Sequence, residues 1–309
     1  MPLIDDLLTS FHGAKYFTTI DLEAAFYQIG LKKESRELTA FITQDGLYEF
    51  NVLFMGLGNS PAVMQRLMDT VLRGMGKYAR GYMDDIIIFS STFDEHCEHL
   101  RRVLHKLREH KLTISPTKTK VAQSETRYCG FKVSAKGIGM VSKKVSAISA
   151  YPSPSEQPNP KKIQAAIASF LGMAGYYRRF VPNFSSLERP LRELTLKESD
   201  CVWTEKHTNA FNKIKQTLMS DTVLAHPAPV TKGREYVIQT DASTIGLGAV
   251  LSQPDETGEL RPVFFASRSL TPGERNYSAT ALEALCCVWA AELFRPYVGN
   301  THFKMKTDH

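Results

Sequence analysis

The chain has 309 residues, 43% of them hydrophobic and 23% charged, with a formal net charge of +6. That length holds two or more domains with real cores, and the composition is that of an ordinary soluble protein. No apolar stretch approaches the ~20 residues of a membrane helix, and Asp5 and Asp6 interrupt the only apolar segment at the start, so no secretory signal is visible there.

The first strong element is Tyr16-Phe17-Thr18-Thr19-Ile20, β-branched and aromatic, which predicts a strand that ends in Asp21. Residues 41–53 place Gln44-Asp45-Gly46 between β-rich segments and predict a hairpin. Ser60-Pro61 predicts a helix start, with Ser60 as the cap and Pro61 at the first helical position. The stripe Met64, Leu67, Met68, Val71, Leu72 and Met75 reads as core, and Gly74 and Gly76 close the helix.

The most informative residues follow. Tyr82-Met83-Asp84-Asp85 stands between Ala79-Arg80-Gly81 and the apolar run Ile86-Ile87-Ile88-Phe89. Two adjacent carboxylates beside a core are costly unless something neutralises them, and a divalent metal does so. A tight turn between two strands can present both to one site, whereas neighbours on a regular strand face opposite ways. With Asp21 at the end of another strand, two strands would deliver acids to one sheet edge, the arrangement of a two-metal phosphoryl-transfer site.

Residues 94–110 predict a helix with Asp94 and Glu95 early and Lys106, Arg108 and Lys111 late or just beyond its end, as the helix dipole favours. Leu100, Val103, Leu104 and Leu107 are expected inward and the histidines on the surface. His96, Cys97 and His99 lack the fourth ligand and the usual spacing of a zinc site. Residues 97–150 carry twelve Lys/Arg against Glu98, Glu109 and Glu125. That asymmetry suits a polyanion, and equally a solvated basic face. The five cysteines show no C-x-x-C and no paired framework, which reads as a reducing intracellular setting.

Tyr128-Cys129-Gly130-Phe131-Lys132-Val133 predicts short strands and a turn. Four prolines, Pro152, Pro154, Pro158 and Pro160, then make an extended connector and suggest a boundary. A helical region over 163–177 ends in Tyr176-Tyr177-Arg178-Arg179-Phe180, where aromatics and arginines interleave as at a nucleic-acid surface or at a packed helix end. Thr204 caps another helix running to about Met219. Past residue 229 the pattern predicts strands at 236–240, 246–251 and 262–266, a helix over 279–293, and a last strand over 301–307 that ends at Asp308.

Taken together, Thr19-Ile20-Asp21 through Phe26-Tyr27-Gln28-Ile29, Gly56-Leu57-Gly58-Asn59-Ser60-Pro61-Ala62, the YMDD at 82–85, Phe170 through Phe180, Thr240-Asp241-Ala242-Ser243 and Leu251-Ser252-Gln253 resemble the reverse transcriptase and ribonuclease H region of a gypsy-type (Metaviridae-like) long-terminal-repeat retrotransposon Pol polyprotein. The resemblance covers essentially the whole chain. It implies an α+β architecture: a right-hand polymerase palm with partial fingers over 1–150, a helical thumb and connection over 151–228, and an incomplete ribonuclease H-like α/β domain over 229–309. It also implies that an upstream fingers segment, a last strand and helices, and a fourth ribonuclease H acid lie outside this chain, so hybrid cleavage is expected to be weak or absent.

The implied roles follow residue by residue. Asp21 and Asp84 resemble the acids that hold two magnesium ions (manganese being possible), with Asp85 their supporting neighbour. Phe26 matches the aromatic position that stacks under the sugar, and Met55 and Gly56 belong to the loop lining the nucleotide. Leu53-Phe54-Met55 departs slightly from the family, where Met-Pro-Phe is common. Tyr82, Met83, Gly130, Tyr176, Arg178 and Arg179 would meet nucleic acid. Lys118 resembles a lysine that assists the leaving group, though Lys120 is equally placed. Asp241, Glu283 and Asp308 match the first three ribonuclease H acids. The implied partners are an RNA template, a DNA primer, the RNA–DNA hybrid, deoxynucleoside triphosphates and other parts of a Pol polyprotein, with no membrane. The implied location is intracellular, in a cytoplasmic virus-like particle or the nucleus. The alternatives are a non-catalytic nucleic-acid-binding remnant of a decayed element and a plus-strand viral RNA polymerase; the ribonuclease H block argues against the latter.

Overall fold

The structure is a computed structural model that describes residues 1–196 and 199–308. The chain divides by internal packing into two compact units, Met1–Ala135 and Lys136–His309.

In the first unit, helix α1 (Ile4–Leu8) leads to strand β1 (Tyr16–Asp21). A short helix α2 (Lys33–Arg36) and the hairpin β2 (Phe41–Thr43) and β3 (Gly46–Tyr48) follow. Then come helix α3 (Ser60–Val71), β4 (Ala79–Tyr82), β5 (Asp85–Ser90), helix α4 (Phe93–Glu109), β6 (Lys120–Gln123), β7 (Glu125–Tyr128) and β8 (Phe131–Ser134). A four-stranded sheet of order β4-β5-β1-β6 forms the centre. Its middle strands pair antiparallel in continuous register from Tyr16↔Ser90 to Asp21↔Asp85.

Both faces of this sheet are covered, which is why β5 is an unbroken apolar run rather than an alternating one. Ile20, Ile86 and Ile88 pack with Met64, Met68 and Val71 of α3 and Val103 and Leu107 of α4. On the opposite face Phe11 lies edge-on to Phe89 at 5.0 Å, to Phe17 at 6.2 Å and to Tyr128 at 6.1 Å. The β2–β3 hairpin contrasts with this: all six of its residues are exposed, and its rings contact one another, Phe41 with Tyr48 at 5.9 Å and with Phe50 at 5.3 Å.

Three local expectations are corrected. Leu104, expected inward, lies exposed on α4. The cap of α3 is Asn59, not Ser60, because the Ser60 hydroxyl instead donates to the Phe54 carbonyl at 2.8 Å; Pro61 is the second helical residue. His96 is fully buried, not on the surface. Its Nε2 meets the Thr18 hydroxyl at 2.7 Å and its Nδ1 the Ser90 hydroxyl at 3.0 Å, while His99 also reaches Ser90 at 2.8 Å and stacks on Tyr78 at 3.9 Å. The helix that carries them is held at its start by a reciprocal cap. Thr92 accepts from the Glu95 amide, and Glu95 accepts from the Thr92 amide, both at 3.3 Å. Thr92→Ala is expected to lower stability by about 1 kcal/mol, read as a lower urea midpoint at unchanged slope.

The second unit begins with β9 (Gly137–Met140), whose Ile138 bridges to Leu224, and helix α5 (Ser142–Ser149). The proline segment holds a single 3-10 turn at Pro154–Glu156. Helices α6 (Pro160–Tyr176), α7 (Phe184–Leu194) and α8 (Glu205–Met219) follow, with Phe170 against Phe211 at 4.6 Å. Thr204 caps α8 as expected. A second sheet of order β12-β11-β10-β13 is built from β10 (Tyr236–Ala242), β11 (Gly246–Pro254), β12 (Leu260–Ser269) and β13 (Phe303–Lys306). The first three form an antiparallel meander. The chain then crosses through α9 (Ala279–Leu293) and α10 (Arg295–Val298), so that β13 returns parallel to β10. Ile238, Leu251 and Val263 of the sheet pack with Ala290 of α9 and Phe294 just beyond it.

Candidate active site

The three acids singled out in the first unit are gathered at one end of its sheet. Asp21 closes β1 and Asp85 opens β5, and the two are direct cross-strand partners, so their side chains leave the same face. Asp84 sits in the two-residue turn between β4 and β5, beside Met83, which takes a left-handed φ of +53°. The sequence folds this way because Gly81 and the apolar run on either side pair as a tight hairpin, Tyr82 opposite Asp85.

Electrostatically the cluster is crowded with negative charge. The Asp85 carboxyl is held above its ordinary value by burial first, then by Asp84 and Asp21. The neighbouring Cys129 thiol is pushed up to about 12, by burial and then by Asp85. A cation already faces the cluster: Lys118 Nζ lies 3.3 Å from Asp21 Oδ1. Lys120 is instead paired across from Thr19 on β6. Three carboxylates offer the hard oxygen donors that magnesium or manganese takes, and their mutual repulsion is what a dication would relieve. The donor set therefore fits the implied metal. Among the described residues no three acidic, histidine or cysteine side chains already form a metal-holding group.

Around this edge, Phe26 lies on the 3-10 turn after β1, half-buried against the same core as Met83. Met55 is exposed and Gly56 takes φ +106° in the loop before α3. Tyr82 is half-buried at the end of β4. Cys129 and Gly130, both at positive φ, form the turn of the β7–β8 hairpin, the backbone pattern of a type I′ turn. The chain reading missed Gln65, whose side chain bonds to the Asp84 turn; a polar residue on the helix stripe shared by Met68 and Leu72 was its signal.

In the second unit Tyr176 is exposed, while Arg178 donates to the Ser267 carbonyl at 3.1 Å. Arg179 is a correction. It is only 4% exposed, with its guanidinium 4.5 Å over the Phe264 ring, because the helix end packs onto β12; its charge is engaged inside the unit and is not presented to a phosphate backbone.

Asp241 lies near the end of β10 and Glu283 on the adjacent α9. Glu283 accepts from the Ala242 amide at 3.1 Å through Oε1 and from the Thr307 hydroxyl at 3.3 Å through Oε2. The β10–β13 register ends at Gln239↔Lys306, so Asp241 and Asp308 each stand two residues beyond the last paired position, on parallel neighbours. Behind them Cys286 is fully buried, its thiol pushed up to about 11 by burial.

Comparison with known proteins decides what this arrangement is. Residues 2–133 match the family described as reverse transcriptase (RNA-dependent DNA polymerase), and residues 203–305 the RNase H-like domain found in reverse transcriptase. The chain belongs to the reverse transcriptase family of retrotransposon Pol polyproteins. Over its full length it is 38% identical to the Pol polyprotein from transposon 297 and 35% identical to that from transposon gypsy, both of Drosophila melanogaster. It is 32% identical to the transposon Tf2-3 polyprotein of Schizosaccharomyces pombe. It spans 28%, 30% and 23% of those relatives respectively. A foamy viral protease-reverse transcriptase in complex with ds DNA shares the fold at a TM-score of 0.83 and 23% identity, covering 100% of this chain and 53% of that one. The same kind of protein in complex with RNA/DNA hybrid gives 0.82 and 24%, covering 99% and 40%. The chain is thus a mixed helix-and-sheet reverse transcriptase fold followed by a ribonuclease H-like region.

Proposed function

We propose that this chain carries the RNA-directed DNA polymerase centre of a retrotransposon Pol polyprotein, adding deoxynucleotides to a DNA primer on an RNA template. The observation that carries this reading is the cross-strand pair Asp21 and Asp85 with Asp84 in the adjoining turn. Asp21 and Asp84 would hold two magnesium ions, which when bound activate the primer 3′-hydroxyl and offset charge at the α-phosphate. Asp85 keeps the cluster anionic, Lys118 faces the departing charge, and Phe26 supports the sugar. Met55, Gly56, Tyr82, Met83 and Gly130 would line the nucleotide and primer. Asp241, Glu283 and Asp308 would form the metal site of a ribonuclease H acting on the RNA–DNA hybrid. The domains are assigned as palm with partial fingers over 1–150, thumb and connection over 151–228, and ribonuclease H-like region over 229–309. Association with other parts of a Pol polyprotein, in a cytoplasmic particle, belongs to the same proposal, and the likeness to Pol polyproteins supports its first half.

The test is incorporation of deoxynucleotides opposite an RNA template with magnesium or manganese. Extension is the expected result. Binding without extension in either metal would favour the second reading, a non-catalytic nucleic-acid-binding remnant.

Polyanion binding has its own expected signature. Within residues 97–150, Glu98 is engaged by Arg101 and Arg102, Glu109 by Lys106 and Glu125 by Lys132, so all three acids of this basic segment are paired. Of the other bases Lys118 faces Asp21, and the exposed Arg108, Lys111, Lys120 and Arg127 are the ones assigned to phosphates. With about four phosphate contacts, primer–template affinity is expected to fall about 10²-fold between roughly 50 and 200 mM salt, read by fluorescence anisotropy. An affinity that does not change with salt would contradict the assignment.

A further inference from the structure

Gln65 is 3% exposed, on the face of α3 that meets β4. Its Oε1 accepts from the Met83 amide at 2.9 Å, and its Nε2 donates to the Gly81 carbonyl at 3.1 Å and to Asp69 Oδ1 at 2.9 Å. A carbonyl and a carboxylate can only accept, and an amide N–H can only donate, so these three partners admit one orientation of the side chain. Asp69, one helical turn on, is a third partner that a flipped amide could not serve. The close approach depends on Gly81: a Cβ there would lie 3.0 Å from Leu72 Cδ1 and 3.4 Å from Met68 Cβ. Met83, held from one side by this bond, takes a left-handed backbone conformation that a side-chain-bearing residue rarely adopts. The residue after it is Asp84.

We propose that Gln65 is a positioning residue that holds the Met83 turn in its left-handed form and thereby fixes Asp84 and Asp85 relative to Asp21 for metal binding. This rests on the polymerase reading for its effect on turnover, but not for its effect on the carboxylates. Gln65 touches neither substrate nor the reacting atoms; it acts through the main chain at both ends of Tyr82.

The test uses the full chain, its Gln65→Leu variant, and Met83→Gly with and without Gln65→Leu. Glycine adopts positive φ freely, so the turn in the Met83→Gly background no longer depends on the clamp. In the parent background Gln65→Leu is expected to speed exchange of the Met83 amide and to weaken Mn²⁺ binding, read by water-proton relaxation without turnover, by about tenfold or more. The maximal extension rate is expected to fall by a similar factor, with KM for the nucleotide and primer–template affinity within about twofold. In the Met83→Gly background the same substitution is expected to change Mn²⁺ binding by less than about threefold. Equal losses in both backgrounds, or unchanged Mn²⁺ binding, would overturn the proposal, leaving Gln65 a packing residue only. If Gln65→Leu fails to fold, Gln65→Met, which keeps the length of the side chain and removes its three hydrogen bonds, carries the test with the same readouts, and unchanged Mn²⁺ binding there overturns it equally. Weakened Mn²⁺ binding in a chain whose parent never extends a primer would uphold the positioning role and sink the polymerase reading instead.

Discussion

Asp84→Asn is expected to slow primer extension by at least about 10³-fold, because charge stabilisation by metal ions at the reacting phosphate is worth several kcal/mol and each ~1.4 kcal/mol is tenfold. Asparagine keeps the size of the side chain and removes its charge, and Asp84 lies in a turn outside the packed core, so the fold has little to lose. Primer–template affinity is therefore expected to stay within about threefold, since phosphate contacts and not this acid set it. The comparison of single-turnover rates at saturating magnesium checks this. A variant within about tenfold of the parent would show that the turn carboxylate is not a metal ligand.

The second large effect lies away from the chemistry. His96→Ala is expected to cost about 1–3 kcal/mol, since it empties a fully buried site and takes one partner each from the hydroxyls of Thr18 and Ser90, which keep the Ala122 amide and His99. Equilibrium urea unfolding reads it. The same residue gives a pH dependence. Burial, and then His99, holds the His96 ring below its ordinary value of 6.5. The unfolded state thus binds the proton more readily than the folded one, so stability is fully present above about pH 6.5 and declines as pH falls below it. His96→Ala is expected to flatten that decline. A parent whose stability is level from pH 7 to pH 5 would contradict the assignment.

The chain's periodicities foretold most of this molecule, for reasons that differ element by element. Helix α9 was legible to the residue because Ser278 caps it by accepting from the Ala281 amide and the Ala- and Leu-rich run has no breaker. The YMDD acids were legible because two carboxylates beside four apolar residues make sense only at a functional turn. What the sequence hid were contacts that no helix or strand period encodes, some six residues apart and some much farther. Ser60 looked like a helix cap and is a donor to Phe54. His96 sat among charged neighbours on α4, yet its partners are on β1 and at the end of β5. For Arg179 the pattern left a nucleic-acid surface and a packed helix end open, and Phe264, far along the chain, covers it. Gln65 was visible only as a polar interruption of an apolar stripe. In each case local pattern sets which face a residue occupies, and the distant partner sets what it does there.

The exposed β2–β3 hairpin behaves as a separate thermodynamic element. Ile42 and Leu47 are 83% and 73% exposed, and two strands with no covering layer are marginal on their own in water. Its hydrogen bonds can open and re-form without disturbing the buried pairing of β1 with β5. The unit is therefore expected to show two regimes of hydrogen exchange: slow along the buried pairing of β1 with β5 that sets Asp21 against Asp85, and fast in the aromatic hairpin.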